Sequence, residues 1–203
     1  MLATLAISLP ASAAVVDFTG GTVNGSYATH YEENGFQVDI VGASGAFFGN
    51  YYGTGNNVIH AHWRDGCCGD VTAIDITKIG GGAFDLNYFI LTSNTATGGG
   101  AASGTERAYV QALGGANDGY TQMLPPDNWG FPGTQIFLGS QFDDVTKVRF
   151  FVDFTSSVDC FGMDEFYINE AAPPNPNAVP EPASAALLGI GLLGLLARRR
   201  RAK

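Results

Sequence analysis

Basic residues are scarce in this chain. Of its 203 residues, 10 are Lys or Arg against 19 Asp or Glu. Half of those bases crowd into the C-terminal tail. With residues 179–203 set apart, which hold Glu181 as their one acid and five bases, 18 acids face five bases, a net of −13. Such a body repels nucleic acid and anionic lipid and attracts divalent cations, so nucleic acid is excluded as a partner. Cysteine is scarce too, limited to Cys67, Cys68 and Cys160. No Cys-x-x-Cys spacing marks a zinc–thiolate site. In an oxidising compartment, one of the adjacent pair can form a disulfide with Cys160, leaving one thiol over, and the spacing does not select which. No Gly-x-Ser-x-Gly elbow is present, and no spacing of carboxylates marks an acid/base pair, so hydrolase and glycosidase chemistry have no support. Tandem repeats are absent, and no 3.6-residue apolar period stands out before the tail.

Alternation with a period of two recurs instead. Phe36, Val38 and Ile40 alternate with Gln37 and Asp39, and further strands are expected over 58–63, 71–76, 84–92, 107–113, 120–124, 134–138, 145–154 and 160–168. In 145–154, Thr146, Val148, Phe150, Val152 and Phe154 form an apolar face, while Lys147, Arg149 and Asp153 face solvent. Strands spaced about ten residues apart and bounded by Gly, Asn and Asp predict an all-β chain, an antiparallel β-sandwich of jelly-roll type. The sandwich domain spans 15–170. Residues 171–178, rich in Pro and Asn, read as an extended linker.

Both ends carry export signals. Residues 2–9 form a short apolar run, followed by Ala11-Ser12-Ala13, a small-residue cleavage pattern. Residues 1–14 therefore read as a signal peptide, with the mature chain starting near Ala14 or Val15. No base precedes the apolar run, so the true translation start is expected upstream. The C-terminal signal has three parts in order: Val179-Pro180-Glu181-Pro182, an uncharged Gly/Leu-rich run over 183–197, and the cluster Arg198, Arg199, Arg200 and Arg201. At ~1.5 Å per residue, a helix over that run spans roughly 22 Å, shorter than a bilayer core of about 30 Å. It reads as a short transmembrane helix, with the arginines holding the tail in the cytoplasm and the body outside.

This tail resembles the PEP-CTERM protein-sorting signal of Gram-negative bacteria. The resemblance implies recognition and cleavage by exosortase, a membrane-embedded transpeptidase, after transient anchoring in the inner membrane. It also implies delivery to the cell surface or the exopolysaccharide matrix. The segments Tyr31-Glu-Glu-Asn-Gly-Phe36, Ala83-Phe-Asp-Leu-Asn87, Phe142-Asp-Asp-Val-Thr-Lys-Val148 and Phe161-Gly-Met-Asp-Glu-Phe-Tyr-Ile168 also resemble the β-sandwich that such proteins commonly carry, which is similar to calcium-containing carbohydrate-binding jelly rolls.

Three candidate sites follow. In a regular strand Asp164 shares a face with Phe166 and Ile168, so it points toward the core, where a carboxylate needs a cation or several donors. The family resemblance implies a structural calcium between the first and last strands, with Asp17, Glu32 or Glu33, and Asp164 as candidate ligands. Aromatic residues in glycine-rich loops, Tyr51, Tyr52, Trp63 and Trp129, are candidates for stacking on a polysaccharide, or else they plug the sandwich ends. His60-Ala-His62 puts two imidazoles on one strand face, a spacing that suits zinc or iron. The preceding Gly53-Thr-Gly-Asn-Asn57 resembles a cupin motif, yet no Glu follows at the cupin spacing and His30 is the only other histidine. The leading expectation is an exported, non-enzymatic sandwich. The competing one is a metal-dependent enzyme using His60, His62 and His30.

Overall fold

The computed structural model describes residues 13–22, 26–63, 69–153, 155 and 157–174. The chain divides after Ala172, and every described strand lies in the first unit. Among the described residues no helix is long and apolar enough to cross a membrane. The apolar run expected to form the transmembrane helix, 183–197, lies outside them, as do residues 1–12 of the signal peptide, Cys67 and Cys68.

Among the described residues thirteen strands follow one another: β1 Ala14–Val16, β2 Ser26–Ala28, β3 His30–Glu33, β4 Phe36–Gly42, β5 Ala46–Gly49, β6 Val58–His62, β7 Val71–Lys78, β8 Leu86–Thr95, β9 Ala108–Leu113, β10 Thr121–Met123, β11 Thr134–Phe137, β12 Lys147–Val152 and β13 Cys160–Ile168. They form two antiparallel sheets. The first has the order β11-β8-β13-β6-β5-β2, with β1 added to β13; the second has the order β10-β9-β12-β7-β4-β3. From β6 onward the chain winds between them. β6, β8, β11 and β13 lie in one sheet, and β7, β9, β10 and β12 in the other.

Alternation explains the packing. In β12, Val148, Phe150 and Val152 are buried while their neighbours are only partly so, because successive side chains leave a strand on opposite faces. Phe150 reaches across the interior to Phe89 at 5.3 Å, Phe166 at 5.9 Å and Phe161 at 6.2 Å between ring centroids. Each such ring, taken wholly out of water, contributes roughly 1.5–3 kcal/mol. Through Phe166 this cluster continues into Phe18, Phe48 and Tyr31, with Tyr31 stacked on Phe48 at 4.9 Å. Trp63 belongs to this interior. It is 1 % exposed and packs on Phe161 at 5.3 Å, so the expectation that it offers a face to sugars is corrected. It follows two core-facing positions of β6, Ile59 and Ala61, in the same alternation.

Strand β13 departs from regular alternation. Its pairing with β8 shifts between Asp164 and Tyr167, and Glu165 adopts φ +51°. This bulge inserts one residue, so Met163, Phe166 and Ile168 fill the core and Asp164 is turned off it. The expected core-facing Asp164 is therefore corrected to a buried carboxylate that lines a surface pocket.

Candidate functional site

Strand β6 is buried along its whole length, although it lies in a sheet with one face inward. Ile59 and Ala61 supply the core face, which leaves His60 and His62 side by side on the outer face, as the sequence predicted. They are 0 % and 4 % exposed because a second layer covers them. The β5–β6 connection folds back, stacking the Tyr51 ring on His60 at 4.0 Å and 13° between planes. Tyr52 sets its edge to both His60 and Trp129. The loop bearing Trp129 is tied to the sheet by backbone bonds from Gly130 to Thr92 at 2.8 Å and between Asn94 and Asp127.

The register of β13 against β6 brings in a third group. Cys160 pairs with His62, and Gly162 with His60. Cys160 Sγ lies 3.6 Å from His62 Nδ1, and the donor atoms of His60, His62 and Cys160 all fall within 4.8 Å of one another. Asp159 Oδ1 is also 3.6 Å from His62 Nδ1. Gly162 leaves a gap filled by the Tyr52 hydroxyl, which sits 2.9 Å from His60 Nδ1 and 3.1 Å from Thr92 Oγ1. Tyr51 Oη stands 3.4 Å from His62 Nε2. On the other side of His60, Nε2 is buried with no hydrogen-bond partner. Burial, and then the neighbouring His62, push the His60 pKa down to about 3, so its imidazole stays neutral over the physiological range. Sequence inspection found the His pair but assigned Cys160 only to a disulfide. The signal was available in the alternation of β13, yet nothing in sequence gives a register between strands 98 residues apart.

The acidic candidates divide. Asp17 and Asp164 line one pocket of about 160 Å³ together with Thr19, Asn56, Asn57 and Glu165. Asp164 accepts a 2.7 Å bond from the Glu165 amide; burial pushes its pKa up to about 7, with the charges of Glu165, Asp17 and Glu33 adding to the effect. Glu33 is used elsewhere. Its carboxylate accepts the amides of Asp17, Phe18 and Gly20 at 2.9–3.1 Å and the Tyr31 hydroxyl at 3.2 Å, clasping the loop after β1. Glu32 points to the outer face and bonds His30 Nε2 at 2.9 Å, while Asp39 takes His30 Nδ1 at 2.7 Å. His30, raised in pKa by Asp39 and then Glu32, belongs to the second sheet and not to the His60–His62 cluster.

Sequence reasoning also missed a trough of about 430 Å³ on the outer face of the second sheet. Val41, Thr72, Gln111, Arg149 and Phe151 line it, and Tyr109 stacks on Phe151 at 5.4 Å. Arg149 is held there by a bidentate pair with Asp75 at 2.7 Å, joined by Lys147 at 3.1 Å.

Two antiparallel sheets define the class of this protein, an all-β sandwich. Residues 178–201 match the PEP-CTERM protein-sorting motif, so the chain carries that motif. The motif implies export, sorting to the cell surface through the membrane, and exosortase as the processing partner. No curated protein and no solved structure matches the chain.

Proposed function

We propose that the protein is a non-catalytic jelly-roll domain, handed by exosortase to the cell surface or extracellular matrix, where it binds neutral polysaccharide. Transient anchoring in the inner membrane through 183–197 precedes release. The winding of β6 to β13 between the sheets supports a jelly roll, which alternates in this way. The observation that carries polysaccharide binding is the trough on the second sheet. It is open, and it combines aromatic Phe151 and Tyr109 with Gln111 and Thr72, the pairing of ring faces and hydroxyl-binding groups that sugars use. A neutral polymer is favoured because the body is strongly acidic and Arg149 is already neutralised by Asp75.

Tyr51, Tyr52 and Trp129 serve this reading less well. They interlock edge-on, and one face of Tyr51 is covered by His60. An enzyme using His60 and His62 would need an open coordination position for substrate; the lid over both imidazoles disfavours it. Calcium suits the oxygen-lined pocket, with Asp17 and Asp164 as ligands and Asn56 or Asn57 beside them.

The full chain should be tested on a panel of bacterial polysaccharides, with calcium and then with chelator. Binding that is lost in Phe151→Ala and kept in Tyr51→Ala is the expected result. Binding lost only with Tyr51 or Trp129 would move the sugar to the other sheet, and none in any condition would leave a structural matrix role. Calcium raising the melting temperature of the parent but not of Asp164→Asn is expected; no rise in the parent would remove calcium.

A further inference from the structure

We propose that His60 Nε2, His62 Nδ1 and Cys160 Sγ form a closed binding site for one zinc- or copper-class ion, buried on the outer face of the first sheet. The site is separate from the polysaccharide trough and does not depend on it. Two imidazoles and a sulfur are donors of the borderline-to-soft kind that hard calcium or magnesium does not select.

Geometry agrees with such an ion. With metal–nitrogen bonds near 2.0 Å and metal–sulfur near 2.3 Å, a tetrahedral centre puts its N and S ligands about 3.6 Å apart. His62 Nδ1 and Cys160 Sγ are 3.6 Å apart. The third donor comes from His60, which has a ring nitrogen within 4.8 Å of a donor atom of each of the other two residues. Its Nε2 is wholly buried and has no hydrogen-bond partner, an unfavourable state for a desolvated polar atom unless something binds it. Asp159 Oδ1 is likewise buried without a hydrogen bond and lies 3.6 Å from His62 Nδ1, which sets a negative charge beside that ligand.

The surroundings have the form that a metal site needs. Ligating histidines hand their second ring N–H to an outer acceptor, which fixes the tautomer and the ring. With an ion on His60 Nε2, Nδ1 carries the proton and donates it to Tyr52 Oη, 2.9 Å away, which frees the Tyr52 O–H to donate to Thr92 Oγ1 at 3.1 Å. Tyr51 Oη stands in the same relation to His62 Nε2. Gly162 is what admits the Tyr52 hydroxyl, since a Cβ there would meet it and Thr92 Oγ1. With His60, His62 and Cys160 all buried, the ion's role is to lock β6 to β13 and the aromatic lid to both.

The test uses the full chain, stripped with a chelator and titrated with zinc, cobalt or copper salts. One ion per chain is expected, with a thiolate-to-cobalt charge-transfer band and a raised melting temperature. Zinc and copper competition then tells which ion is preferred. Cys160→Ser should abolish the band, and His60→Gln should lower affinity more than tenfold. Tyr52→Phe keeps the ring but removes the outer acceptor, and should weaken affinity about 10–100-fold. The double variant Cys67→Ser/Cys68→Ser should bind as the parent does. Circular dichroism confirms that each variant is folded. The proposal is overturned by ion uptake without a thiolate band, by a band that survives Cys160→Ser, or by peptide mapping that finds Cys160 in a disulfide in the ion-loaded protein.

Discussion

At the residue scale, Asp75 shows how one buried charge is kept. Burial pushes its carboxyl up, but the bonds from Arg149 and then Lys147 outweigh that and leave its pKa below the usual carboxylate value. A depressed carboxyl adds stability above its unfolded pKa of about 3.9 and loses it as pH falls through the lower folded value. Arg149 is about a third exposed, so the pair is partly screened. Arg149→Ala should cost roughly 1–2 kcal/mol at neutral pH, and the gap to the parent should close below about pH 4. Denaturant melts across pH check both; a gap that stays constant into acid would refute the linkage. Gly162→Ala is a second test. Its Cβ would meet Tyr52 Oη, lie 2.6 Å from Thr92 Oγ1 and 3.1 Å from His60 Nδ1. Overpacking of about 1–3 kcal/mol is expected, with a change in tyrosine and tryptophan fluorescence as the lid lifts. Unchanged stability would mean the lid is loosely held.

At the scale of elements, β1 and β3 are too short to hold position by their own ladders. Each has only three or four residues. Glu33 at the end of β3 secures the chain after β1 by taking three of its backbone amides, and Tyr31 takes the Gly21 amide at 3.0 Å. Glu33→Gln should cost about 1–3 kcal/mol, and hydrogen exchange should speed up at Asp17, Phe18 and Gly20 more than in β12. Uniform acceleration across both sheets would instead point to a global role. The longer strands were legible because their alternation runs for many residues: 160–168 was read with the bounds it has, and 107–113 to within one residue. The short strands β1, β2, β3 and β5 were not separately legible, because so few residues display a period only weakly, although the equally short β10 and β11 fell within the expected 120–124 and 134–138.

At the scale of the whole molecule, address and body are independent parts of the chain. Residues 178–201 carry the sorting motif, and the last described strand ends at Ile168. A chain lacking 179–203 should keep its melting temperature yet be released or stay in the periplasm, as fractionation and surface labelling would show. Surface attachment equal to the parent's would contradict sorting by the tail. Sequence alone determined this address, because Pro-Glu-Pro, an uncharged run and an arginine cluster act in linear order and need no partner from elsewhere in the chain. It also determined the two-sheet class and the shared face of His60 and His62, since period-two patterns are local. Tertiary structure alone decided what those faces meet. Cys160 reaches His62 through a register between distant strands, Asp164 leaves the core through a bulge at Glu165, and Trp63 goes inward. Register and bulges are fixed by the packing of whole sheets, and no short stretch of sequence contains that information.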